Sequence, residues 1–164
     1  MELQRQTSRK LHEEHVAVLG LLERFGRYLA GREYAAGGPA DAAARTLLAQ
    51  LGGALEHEIT RHFDLEEQAL FPRLRERGEG DLVDMLLEEH VVVRDLARRL
   101  IPLIARVRDG ALDATGRQTF KRLGLDLAES LGSHAEKEQG SLVPAVDEML
   151  DEATDMEIWN KYAI

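Results

Sequence analysis

Six residues of this 164-residue chain have the types and spacing of metal ligands, and they come in a repeated order. His15 is followed at a distance by His62 with Glu66 four positions on. His90 is followed at a similar distance by His134 with Glu138 four positions on. The words around them repeat too. "EEHVAV" begins at residue 13 and "EEHVVV" at residue 88; "HFDLEEQALFP" runs from His62 to Pro72 and "HAEKEQGSLVP" from His134 to Pro144. Such self-similarity reads as two copies of one unit. The chain has no cysteine, which removes thiolate nucleophiles, disulfides, iron–sulfur clusters and thiolate zinc sites together. Any metal must be held by imidazole nitrogen and carboxylate oxygen.

Four long segments with helical periodicity must position these residues. They run over 3–33, 41–75, 82–109 and 117–143 and are rich in Leu, Ala, Glu and Arg. Between them lie "YAAGGPAD" (34–41), "ERGEGD" (76–81) and "DGALDATG" (109–116), whose Gly, Pro and Asp mark loops. Asp41 and Asp81 stand where N-caps are expected. Pro102 is expected to kink the third segment, and Pro72 and Pro144 to bend or end theirs. The tail, 145–164, is expected to pack as a short helix anchored by Trp159. Four helices with short connections predict an all-α fold: an antiparallel up-down four-helix bundle with a short C-terminal helical extension, a single domain over 1–164.

At about 100° per residue the special side chains can be phased on each helix. His15 falls in the middle of a stripe with Leu11, Leu19 and Leu22. His62 shares its stripe with Leu51, Leu55, Glu58, Glu66 and Ala69. His90 lies among Val83, Leu86, Arg94, Ala97 and Ile101, and His134 among Phe120, Leu123, Leu127, Glu138 and Ala145. Each helix therefore turns one His toward the core, and two add a Glu one turn on. Buried carboxylates without partners cost several kcal/mol or go neutral, and a cation satisfies them directly. The i,i+4 spacing puts His and Glu of one helix on the same side, within reach of one metal or a bridged pair. A lone core His is more often an ordinary hydrogen-bonded imidazole; one per helix, with Glu at the same offset in two helices, points to a metal site.

Other residues are weaker candidates. Glu58, one turn before His62, reads as an extra ligand or as an acceptor that orients a ligand His. Arg94 needs a carboxylate, which Glu58 or Glu138 could supply, or it guards a channel to the metal. His57 phases toward solvent and His12 to the stripe edge, as an outer residue or a surface one. Glu13, Glu14, Glu88 and Glu89 read as solvated helix faces.

Composition limits the function. Apolar residues make up 44% of the chain, as in a globular protein. The formal net charge is −9, with 30 acids against 21 bases, which argues against a general nucleic-acid binder. No segment has the length of apolar sequence needed to span a membrane, and the polar "MELQRQTSRK" has no signal-peptide core. The expected location is the cytoplasm.

The four quoted stretches together resemble the hemerythrin-like (HHE cation-binding) family, over roughly residues 8–146. The resemblance implies a bundle with a non-heme di-iron centre: two iron ions, oxo- or hydroxo-bridged, with Glu66 and Glu138 bridging and His15, His62, His90 and His134 as terminal ligands. Manganese or zinc also suits such donors. The family's oxygen carriers have a second His one turn after the third-helix ligand, where this chain has Arg94. A five-His oxygen-carrying site is therefore not expected, and a four-His, two-Glu centre leaves positions open for water, Glu58 or an outside ligand. The function implied is binding or reaction of a small diatomic or peroxide ligand (O2, NO or H2O2), with a protein redox partner. The alternative is an oxygen, redox or iron sensor, or a metal-binding interaction module without turnover.

Overall fold

A computed structural model describes residues 2–162. Among them the secondary structure is entirely helical. Helix α1 spans Gln6–Ala30 and a one-turn α2 spans Arg32–Ala36. Helix α3 covers residues 42–76 without interruption of the helical path, but it is not one α-helix. It is built from α-helical Ala42–His57, a π-helical turn Glu58–His62, α-helical Phe63–Leu65, a second π turn Glu66–Leu70, and α-helical Phe71–Glu76. Helix α4 spans Gly80–Arg108, α5 Ala114–Gly140, α6 Leu142–Met149 and α7 Glu152–Tyr162. The four long helices pack in a ring: α1 and α4 each lie against both α3 and α5.

Asp41 caps α3 as expected, accepting from the Ala44 N–H at 2.9 Å. Asp81 does not cap α4. The helix begins one residue earlier, at Gly80, so Asp81 lies in its first turn, where a carboxylate favours the N-terminal end of the dipole instead. The cap that sequence reading missed is Asp113, which accepts from the Gly116 N–H at 2.7 Å and starts α5 inside the expected loop. Pro102 lies inside α4, as expected, and the helix continues past it to Arg108. Pro72 does not end α3 either: the chain passes it with a π turn immediately before. The break before Pro144 comes at Ser141, between α5 and α6.

The tail is two helices, not one, and Trp159 is not its anchor. Trp159 is only half-buried, while Asp155 and Ile158 are buried; residues 163 and 164 lie outside the described residues. These helices hold the start of α1. Its own N-cap residue, Arg5, makes no side-chain cap. Asp147 of α6 accepts from the N–H groups of Gln4 and Arg5, each at 2.8 Å, and from the Ser8 hydroxyl at 2.6 Å. Asp155 of α7 accepts from the N–H groups of Gln6 and Thr7 at 2.8 and 2.9 Å. The unpaired donors of the first turn are thus satisfied from the far end of the chain.

The buried apolar residues form two clusters. The larger contains Val18, Leu55, Phe63, Val93 and Leu131; the smaller contains Leu11, Leu65, Leu86, Leu142 and Ile158. Along three of the long helices the crossing from one cluster to the other occurs beside the His: Leu11 and Val18 flank His15, Leu55 and Leu65 flank His62, and Leu86 and Val93 flank His90; after His134 the smaller cluster resumes at Leu142, the first residue of α6. The polar residues form a layer with apolar packing on both sides. Of the stripe residues expected to be buried, Leu19, Ile101 and Ala145 are half-buried at its margins.

Candidate metal centre

Each long helix contributes to this layer. His15 comes from α1, Glu58, His62 and Glu66 from α3, His90 from α4, and His134 and Glu138 from α5. All seven are buried; His15, Glu66, His90, His134 and Glu138 are fully inaccessible. His15, His62, Glu66 and Glu138 bring one donor atom each within 4.8 Å of one another, and Glu66, His90, His134 and Glu138 do the same. The two groups share both carboxylates.

The sharing is resolved at the oxygen level. Glu66 Oε1 lies 3.1 Å from His62 Nε2, and its Oε2 lies 3.2 Å from His90 Nε2. Glu138 Oε2 lies 3.1 Å from His15 Nε2, and its Oε1 lies 3.2 Å from His134 Nε2. Each carboxylate therefore turns one oxygen to one His pair and the other oxygen to the second pair. His15 and His62 stand with their Nε2 atoms 3.2 Å apart. Despite this crowding, both oxygens of Glu66 and of Glu138, Nε2 of His90 and of His134, and Oε1 of Glu58 have no hydrogen-bond partner. Buried polar groups are almost always paired. A set of donors that are close but misaligned for hydrogen bonding to each other, with the right chemistry for a hard or borderline cation, fits a pair of metal ions.

The π turns place the α3 residues. In each, the closing bond skips an extra residue: the Phe63 N–H donates to the Glu58 carbonyl, and the Phe71 N–H to the Glu66 carbonyl. Such widened turns occur frequently at functional sites. They also place Phe63, which sequence phasing did not single out. Phe63 stacks on His90 with centroids 3.7 Å apart and 11° between planes, meets His134 edge-on at 5.5 Å, and carries the Arg94 guanidinium 5.1 Å from its centroid. It walls the His90–His134 side. Glu58 lies at the other side, with Oε1 3.7 Å from His62 Nε2.

Glu14 and Glu89 are not solvated helix faces, as the sequence suggested. Glu14 accepts from His62 Nδ1 at 2.8 Å, and Glu89 from His134 Nδ1 at 3.0 Å. Glu67 does the same for His90 Nδ1 at 2.7 Å. Carboxylates on the outer nitrogen fix the tautomer and orientation of an imidazole and raise its basicity toward a metal. Sequence reading missed them because each partner sits on a neighbouring helix. The repeat carried a signal nonetheless: Glu14 and Glu89 are the residues just before His15 and His90. Glu13 and Glu88 do remain exposed. The carboxylate that pairs Arg94 is neither Glu58 nor Glu138 but Glu67, whose Oε1 lies 2.6 Å from Nη1. His57 is partly exposed and contacts Glu14 at 3.1 Å. His12 is exposed and meets Gln139. Neither belongs to the cluster.

The charges are strongly coupled. Burial raises the Glu66 carboxyl, but the His62 and His90 imidazoles outweigh it and hold the group below its ordinary range. Burial raises Glu58, with the Glu66 and Glu138 charges adding to the rise. Burial lowers His134, but the Glu138 and Glu66 carboxylates beside it and the Glu89 carboxylate on its outer nitrogen prevail and push it up to about 9.

Among the described residues no helix is long and apolar enough to cross a membrane. A cleft of about 290 Å³ borders the outer edge of His62 and Glu14 and is lined further by His57, Arg61, Lys161 and Tyr162. No curated protein gives a significant match to the chain. The model of the hemerythrin HHE cation-binding domain matches residues 6–146, which takes in all four long helices and every residue of the buried His and Glu layer; the chain belongs to that family.

Proposed function

We propose that this chain holds two iron ions and uses them to bind or react with a small ligand, O2, NO or a peroxide. His15 and His62, with Glu58 beside them, are the donors for one ion, and His90 and His134 for the other. Glu66 and Glu138 are the bridging carboxylates. The observation that carries this reading is the division of oxygens: each of the two shared carboxylates gives one oxygen to each His pair. Iron in such a centre supplies redox chemistry and open positions for an outside ligand. The protein side chains set the conditions. Glu14, Glu67 and Glu89 orient three imidazoles, Phe63 and the two apolar clusters exclude bulk water, and four buried carboxylate oxygens offset the charge of the ions. An antiparallel up-down order of the four helices, forming one domain, belongs to the same reading and is supported by their ring of contacts. So do a cytoplasmic location and a protein redox partner, which would supply the electrons where the bound ligand is reduced.

The test is metal content with the visible spectrum of the same sample, after anaerobic loading with ferrous iron and exposure to air. The expected result is about two irons per chain with ligand-to-iron charge-transfer bands. Zinc alone, retained in place of iron after that treatment, would remove the redox reading while leaving a metal site.

A further inference from the structure

The two halves of the centre are not held alike. Three of the four imidazoles have a carboxylate on the outer nitrogen: His62 on Glu14, His90 on Glu67 and His134 on Glu89. The fourth, His15, has its Nδ1 buried with no partner. Among the unpaired buried atoms of the four His and the two shared Glu residues, this is the one on an outer ring nitrogen rather than at the centre. The internal repeat says what stands in the missing place. Glu67 follows the shared carboxylate Glu66 and reaches His90 on the next helix. The residue that follows Glu138 is Gln139, an amide, and it bonds the Nδ1 of exposed His12, one turn before His15 on α1. The backbone differs as well: residues 66–70 form a π turn, whereas α5 is α-helical through Glu138, so the two residues after the shared carboxylates are not placed alike. All three outer carboxylates are fixed in turn, Glu14 by Lys10 and His57, Glu67 by Arg94 and Glu89 by Lys137, so the difference between the two sides lies at His15 itself. On the His15 side the additional carboxylate, Glu58, has its own Oε1 unpartnered.

We propose that the two metal positions exchange their ions unequally: the His90–His134 position retains its ion, and the His15–His62 position releases and reloads, with His15 as the ligand that leaves first. This rests on the two-metal reading above. An imidazole with no outer partner is free to rotate off its ion and is the less basic ligand, and losing such a partner typically costs about 10- to 100-fold in metal affinity. Both imidazoles at the His90–His134 position are anchored, while only His62 is anchored at the other.

The experiment is release of cobalt(II), whose visible absorption follows its ligand set, from the full chain loaded anaerobically and then mixed with excess chelator. The wild type is expected to lose its two ions in two phases, one ion in each. Glu14→Gln, which frees His62, should quicken the fast phase alone. Glu67→Gln and Glu89→Gln, made separately, should each quicken the slow phase alone, by about tenfold or more. A general loosening of the fold would quicken both phases together, so the phase affected separates anchoring from mere structure. Two ions released in a single phase would overturn the inequality and leave the two-metal centre standing. So would a slow phase that responds to Glu14→Gln and not to Glu67→Gln or Glu89→Gln. A chain that binds no ion overturns both.

Discussion

Glu66 and Glu138 are the residues on which the centre depends most, because each serves both His pairs. In the proposed centre Glu66→Ala would remove an oxygen from each ion, and the expected outcome is loss of at least one metal equivalent, with His134→Ala also losing metal. His57→Ala should keep full metal content, since His57 touches only the outer carboxylate of Glu14. Elemental analysis of the three purified variants checks this, and full metal in Glu66→Ala would sink the bridging assignment. At this scale much was legible in the sequence. A His or Glu on an apolar stripe is a contradiction that burial makes expensive, and the contradiction recurred in all four helices. What was illegible lay across helices. Glu14, Glu67 and Glu89 sit on helix flanks where an acid is ordinarily solvated, and one sequence does not state which neighbouring flank it will meet. Arg94 was assigned the wrong carboxylate for the same reason.

The elements were readable as helices and less readable in their details. Regular phasing at 100° placed His62 and Glu66 on the buried face correctly, yet it could not show the two π turns that carry them. The close approach of α5 to α1 was also hidden. A Cβ on Gly124 would stand 2.8 Å from the ring of Phe25 and 2.9 Å from Leu29. Gly124→Ala should therefore destabilise by about 1–3 kcal/mol through overpacking, despite the higher helix propensity of Ala; chemical denaturation measures it, and a more stable variant would contradict the packing. The tail's function as a cap was invisible too, because Asp147 and Asp155 reach the start of α1 from the opposite end of the sequence. Asp155→Ala should cost about 0.5–2 kcal/mol, as loss of an N-cap does. Burial raises the Asp147 carboxyl, but the Ser8 hydroxyl and the N–H groups of Arg5 and Gln4 prevail and hold it below its ordinary value of 3.8. A carboxyl depressed in the folded state contributes stability that is present above its unfolded value and is lost as pH falls through the folded one. Asp147→Asn should thus be less stable than wild type at pH 7, and the difference should shrink below about pH 4. A difference independent of pH would show that its charge does not matter.

For the molecule as a whole, the polar layer divides the apolar interior in two, so in the proposed two-metal centre the ions would stabilise the fold as well as carry the chemistry. Ions would bind the folded chain, where the donors converge, far better than the unfolded one. At a free concentration 100-fold above its dissociation constant one ion adds about 2.7 kcal/mol, roughly 5–10 °C in melting temperature for a chain of this size. Thermal melting with and without a chelator reads this directly, and identical melting curves would mean that the layer is satisfied without metal. The all-helical character and the four long helices were foreseeable because loops, periodicity and the repeat agreed with one another; the second tail helix was not, because a short helix whose Asp155 docks on the far end of the chain leaves little periodic trace. The most direct measurement is the number of ions per folded chain, taken by elemental analysis after anaerobic ferrous loading and removal of free metal. Two irons per wild-type chain, falling in Glu66→Ala, is the predicted result. One metal ion of any kind, or none, in a fully helical wild-type chain would contradict the shared-carboxylate centre.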